Sequence, residues 1–213
     1  MKKVLFLSIL FLVAFSSASF AQFKMALGPF LGVNYNFYSG TVIDNSNRSY
    51  NGAGLSVGAQ ADMQFTPVIG MLITLNAYDM MNASGSLVQQ DVTTVQTFSI
   101  AYATLNPALK FSIPGTGLGF FAGPGIGFKM SGSSESYQMS QGVRTEISPK
   151  NDIMNMNMRI NGQIGMSYDF DLKTMYITPY FLFDYGFNGI QQNVEWYASG
   201  IKFGVVFKFS VVK

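Results

Sequence analysis

Through most of this chain, apolar and polar residues change places at every step, and that period of two constrains the fold more than any other feature. Between Met154 and Phe170 the even positions read Met154, Met156, Met158, Ile160, Gly162, Ile164, Met166, Tyr168 and Phe170. The odd positions read Asn155, Asn157, Arg159, Asn161, Gln163, Gly165, Ser167 and Asp169. A helix, at 3.6 residues per turn, would spread both sets around its circumference, whereas a strand sends them to opposite faces. Seven further segments follow the same rule, among them Met25 to Tyr38, Ala53 to Phe65, Ile69 to Tyr78, Leu118 to Phe128, Met175 to Phe187 and Ile201 to Val211. The remaining one, Val95 to Ile113, changes phase: Leu105, Leu109 and Phe111 are odd, but Phe98, Ile100 and Tyr102 are even. That predicts a bulge or a membrane exit near Ala103. The count is eight strands.

The connections set the architecture. Thr66-Pro67, Pro114 to Gly117 and Asp171 to Thr174 are short, while Ser39 to Asn51, Asn82 to Thr94 and Gly132 to Asp152 are long and polar, and Asn188 to Val194 is intermediate. Short turns at one end and long loops at the other describe an eight-stranded antiparallel transmembrane up-and-down β-barrel of the bacterial outer membrane. A soluble lipocalin-like carrier also has eight alternating strands, but with its apolar row inside and a charged row outside. Composition separates the two. Only 11% of residues are charged, and the polar row is Gly, Ser, Asn and Gln, which suits a crowded interior. The apolar row is long and aromatic, as a lipid-facing band must be. Leu31, Leu55, Ile73, Phe120, Ile164, Phe181 and Phe203 are expected to point outward.

The amino terminus fits this location. Lys2 and Lys3 precede an apolar stretch from Val4 to Phe15, and Ser19-Phe20-Ala21 resembles a small-x-small cleavage site. Residues 1–21 are expected to form a cleavable signal peptide and 22–213 the barrel domain. With the leader gone, acidic and basic groups balance, so nothing invites nucleic acid.

These features together resemble the eight-stranded outer-membrane barrels of OmpA/OmpX architecture, and more closely the PorT-like "outer membrane protein β-barrel domain" group. The resemblance covers Gln22 to Lys213 and rests on the leader, the alternating strands, the Gly-rich inward rows and an aromatic closing strand with Phe203, Phe207 and Phe209. The chain departs from many such barrels by ending Ser210-Val211-Val212-Lys213 instead of on an aromatic residue. For PorT-like members the resemblance implies a link to protein secretion; it brings no functional residue.

Chemistry is sparse. The chain has no cysteine and no histidine, which removes thiol nucleophiles, thiolate metal sites, Ser-His-Asp hydrolysis and the commonest general base. No catalytic residue, cofactor or metal site is expected. Gly115, Gly117, Gly119, Gly123, Gly125 and Gly127 are all odd-numbered and read as space-makers on one inward face, not as a phosphate loop. Met154, Met156 and Met158 share one side and read as lipid-facing filler, not as copper ligands. Asp169 and Asp171 begin a short turn and read as turn carboxylates, not as an acid–base pair.

The alternation sends Lys110, Lys129, Arg159, Lys202 and Lys208 inward, with Asp62, Asp169 and Asp184, as candidates for an ionic lumen network. The leading expectation is a non-enzymatic outer-membrane protein with a closed lumen and a structural or loop-mediated role, in contact with outer-membrane lipid. Gly132 to Asp152 is the candidate loop for a protein partner or ligand. The alternatives are a small-solute transporter or a secretion-associated component. Oligomeric state is left open.

Overall fold

The structure, a computed structural model, describes residues 23–40, 50–89, 91–152, 156–190 and 196–212. The expected leader lies outside them, as does Met154. The described residues form β1 (Lys24–Gly40), β2 (Tyr50–Gln64), β3 (Ile69–Gln89), β4 (Val92–Ser112), β5 (Leu118–Ser140), β6 (Val143–Asp152), β7 (Arg159–Tyr168), β8 (Phe170–Asp171), β9 (Tyr176–Gly186) and β10 (Trp196–Val212). Eight of them close a ring in the order β1-β2-β3-β4-β5-β7-β9-β10, with β10 paired back onto β1 and every contact antiparallel. The two-residue β8 only extends the turn before β9, and β6 pairs with β5 alone.

Hydrogen-bonded partners trace a helix around the wall. From Lys24 they run Gln64, Gly70, Lys110, Phe121, Gly165, Leu182 and Lys202, and return to β1 at Asn34, ten residues above the start. A stagger of this kind is what tilts the strands and closes the sheet without an edge. At about 40° of tilt, the ten steps from Leu27 to Phe37 climb roughly 25 Å, the height of an outer-membrane apolar band.

The outward rows are apolar. Leu31, Leu55, Phe120, Ile164, Phe181 and Phe203 are exposed and Ile73 is half-buried. Aromatic pairs ring both ends of the band: Phe23 with Phe65 and Tyr168 with Phe170 near the short turns, Phe37 with Phe183 and Tyr185 with Phe187 near the far rim.

Several expectations are corrected. First, 82–94 and 132–152 are not loops. The ladder between β3 and β4 continues to Gln89 and Val92, and that between β5 and β6 turns at Gln141-Gly142, both with positive φ (50° and 80°), as a tight two-residue hairpin requires. These strands leave the lipid, so they carry no apolar face and show no hydrophobic period.

Second, the irregularity expected near Ala103 is present, as register shifts beside Ala101–Thr104, but β4 itself does not change phase. Its even residues face inward from Phe98 to Lys110, and the bulges lie on its neighbours. Three steps along β3, Asn76 to Asp79, match two on β4, and two steps along β5, Lys129 to Ser131, match one. Phe98, Ile100 and Tyr102 are interior aromatics and aliphatics.

Third, Gly115 and Gly117 belong to the turn after β4, at φ +78° and +77°, not to the inward row. Met156 packs inward against interior aromatics while Met158 is exposed, so they do not share a side.

Candidate functional site

The candidate site is the barrel's bore, which side chains fill in layers. Nearest the short turns sits an ionic box. Alternation on β2, β4 and β10 sends Asp62, Lys110 and Lys208 inward, and Asp169 joins them from the single residue between β7 and β8. Lys110 Nζ donates to Asp62 Oδ2 at 2.7 Å and to Asp169 Oδ2 at 3.2 Å. Lys208 Nζ donates to Asp62 Oδ2 and Asp169 Oδ1, both at 2.6 Å, and the Thr178 hydroxyl donates to Asp169 Oδ1 at 2.7 Å. Asp169 is therefore part of the box, whereas Asp171 caps its exposed turn by accepting from the Lys173 amide at 2.7 Å. Burying a lone ammonium is costly; two carboxylates around each lysine answer that cost.

Above the box, Leu72, Ala108, Phe121, Leu182 and Tyr180 form a small apolar layer. Tyr180 fits because β1 and β10 carry glycine opposite it. A Cβ at Gly204 would stand 2.5 Å from the Tyr180 hydroxyl, and one at Gly32 2.6 Å. Next come neutral amides and hydroxyls: Gln60 donates to Thr74 at 3.0 Å, and Asn76 and Asn106 both donate to Thr104. Gln60, Thr74, Asn76 and Asn106 line, with Gln163 and Lys202, a chamber of about 20 Å³, close to the space for a single water.

The second ionic layer lies higher. Arg159 grips Asp184 with two hydrogen bonds, Nη2 to Oδ1 at 2.7 Å and Nη1 to Oδ2 at 3.2 Å, the fork geometry that guanidinium favours. Lys202 Nζ reaches Asp79 Oδ2 at 2.6 Å and Asp184 Oδ2 at 3.3 Å, and Asn34 donates to Asp79 at 3.2 Å. A plug of Tyr38, Tyr50, Met81, Phe98, Ile100, Tyr102, Ile190 and Trp196 covers this layer. The Trp196 ring is 4.7 Å from that of Phe98 and 4.8 Å from that of Tyr38.

Seven of the eight candidate residues thus meet in two clusters: Asp62, Lys110, Asp169 and Lys208 in one, Arg159, Asp184 and Lys202 in the other. Lys129 does not join them. It is exposed, at the level of the buried Tyr102 that it faces across the β4–β5 ladder. Asp79, which strict alternation from Ile69 would place outside, is instead fully buried at the second cluster, because the β3 bulge reverses its phase. The expected five positive and three negative groups become four and four: Lys110, Arg159, Lys202 and Lys208 against Asp62, Asp79, Asp169 and Asp184. A carboxylate in an otherwise apolar stretch was the one signal for Asp79 in the sequence.

A closed eight-stranded wall, apolar and aromatic outside, polar and charge-neutral inside, is the construction of an integral outer-membrane barrel. The chain belongs to the outer membrane protein beta-barrel domain family, whose profile matches residues 20–192. It is an integral protein of the bacterial outer membrane. No curated protein matches the chain. Among solved structures it is similar to Ail of Yersinia pestis, solved in complex with the heparin analogue sucrose octasulfate (8% identity, TM-score 0.46, covering 87% of this chain and 99% of that one). It is also similar to Neisserial surface protein A (12%, 0.41, 86% and 99%) and to OprG of Pseudomonas aeruginosa (8%, 0.40, 91% and 97%).

Proposed function

We propose that this is a non-enzymatic, non-conducting outer-membrane protein whose barrel anchors a β-sheet outside the cell, with residues 1–21 removed on export and 22–213 forming the domain. The observation that carries it is the contrast between a bore filled at several heights and strands that run far past its rim. A strand needs about 9–11 residues to cross the membrane. Strands β7 and β9 have 10 and 11, but β3 and β4 have 21 each and β5 has 23. The surplus of β3, β4 and β5, with β6 added, makes a four-stranded sheet at the long-connection end, which in such barrels faces outward. The hairpin 132–152 is the part placed to meet a partner.

Against an enzyme stands the occupancy of the lumen carboxylates. Each of Asp62, Asp79, Asp169 and Asp184 is held by a cation, so none is available as a general base. Against a transporter stands the bore itself, since eight strands leave an interior only wide enough for side chains. Planar-bilayer recordings of the purified monomer test this reading. The expected result is no stable ion conductance; a steady open channel would establish the small-solute transporter in its place.

A further inference from the structure

Strand β4 passes from lipid to water without a change of face. Because the bulges lie on β3 and β5, its odd residues keep one face: Phe111, Leu109 and Leu105 are exposed in the apolar band, Ala101 is covered, and the half-buried Ser99 and Thr97 follow above it. On β5 the outer surface likewise passes from Phe128 and Met130, both exposed, to Ser133 and Glu135. Ser99 pairs with Ser133 and Thr97 with Glu135 across the two strands.

These four side chains and Lys150 of β6 line a groove of about 110 Å³, room for several waters. Ser84 of β3 extends its hydroxyl edge, 3.3 Å from Thr97. Glu135 and Lys150 face the groove without engaging each other or another described residue in an ion pair. Beside it, the Arg144 guanidinium lies over the Tyr137 ring at 3.9 Å, which holds a second cation and an aromatic on the same hairpin. Ser99 stands six residues beyond Leu105, roughly 15 Å higher at a tilt of about 40°. That is the depth of lipid headgroups next to a wall whose apolar part meets acyl chains.

We infer that this surface is a binding site for a phosphorylated glycolipid of the outer leaflet. Its acyl chains lie along Leu105, Ile126 and Phe128, and its sugar sits in the Thr97–Ser99–Ser133–Glu135 groove. Neutral hydroxyls and a carboxylate are suited to sugar hydroxyls, and the Lys150 ammonium to a phosphate. The committed source is membrane-anchored, because the groove is continuous with the lipid interface and opens above it. This inference rests on the proposed reading, in that it needs the long hairpins to face outward.

The test uses the full mature chain in nanodiscs, with native mass spectrometry reading retained adducts. The probes are a lipopolysaccharide truncated to its phosphorylated lipid-anchored sugars, the same molecule deacylated, and phosphatidylglycerol. The lipid-anchored sugar should be retained, and Lys150→Glu or Ser99→Leu should lower its retention at least tenfold. Gln138→Ala, at the far end of the same hairpin and away from the groove, should leave it unchanged. Heat-modifiable gel mobility, a property of the barrel alone, should survive in all variants. Equal retention by every variant would overturn the site. So would equal retention of phosphatidylglycerol, which marks general lipid contact, or equally tight binding of the deacylated sugar, which marks a soluble glycan. Bilayer recordings on the same preparation keep the two proposals apart. A silent bilayer with no retention defeats the glycolipid site alone; a steady channel overturns the reading beneath it.

Discussion

At the scale of single residues, the lumen is held by charge pairs that a membrane protein has no water to replace. Arg159 and Asp184 are 2% and 3% exposed, so removing one strands the other in a low-dielectric interior. Arg159→Leu is expected to destabilise the barrel by about 3–5 kcal/mol, the range for breaking a buried pair from one side. The double variant Arg159→Leu/Asp184→Leu should cost less, since no unmatched charge remains. Urea unfolding in detergent, followed by the fluorescence of the only tryptophan, Trp196 in the lumen plug, measures both. Gly204 is a steric counterpart. Gly204→Val would push against the Tyr180 hydroxyl and, in a packed layer, should cost about 1–3 kcal/mol by the same assay. Combining it with Tyr180→Ala should recover part of that loss.

At the scale of elements, the β4–β5 seam shows how a local rule is broken inside the wall. Leu105 pairs with Ile126 and Leu109 with Ala122, so Pro107 stands directly opposite Pro124, and the ladder lapses between those pairs. Neither proline has an N–H to offer the other's carbonyl. Both keep their partners on the other side, Ile73 for Pro107 and Gly162 for Pro124. Pro107→Val restores one donor. It should raise the unfolding free energy by up to about 1 kcal/mol, the net worth of one hydrogen bond, less the conformational entropy that proline removes from the unfolded chain. The protruding hairpin should behave oppositely. Replacing 134–151 by a two-residue turn removes β6 and the tip of β5, neither of which closes the ring. Such a variant should refold with unchanged heat-modifiable mobility; loss of the folded band would mean that the hairpin is part of barrel assembly.

At the scale of the molecule, closure is shared among layers separated along the axis. Trp196→Ala opens the aromatic plug, yet the Arg159–Asp184–Lys202–Asp79 layer and the box below it still cross the bore. This variant is therefore expected to stay silent in planar bilayers, and a stable conductance would show that the plug is the principal seal.

What the sequence determined by itself was everything that depends on the pleat of one strand. Period two is local, so the strand count, the lipid-facing rows from Leu31 to Phe203 and the inward direction of Asp62, Lys110, Arg159, Asp184, Lys202 and Lys208 could be read without knowing any neighbour. What only the tertiary structure decided depends on pairing between strands. The bulges of β3 and β5 are mismatches in residue count between neighbours around an undisturbed β4, and a single chain does not record them; the one on β3 puts Asp79 inside. Partner choice came from the ten-residue stagger of the closed ring, which set Arg159 against Asp184 and left Asp62 to the two lysines. The outer sheet escaped notice for a related reason: beyond the lipid both faces of a strand meet water, and hydrophobicity no longer marks which way a side chain points.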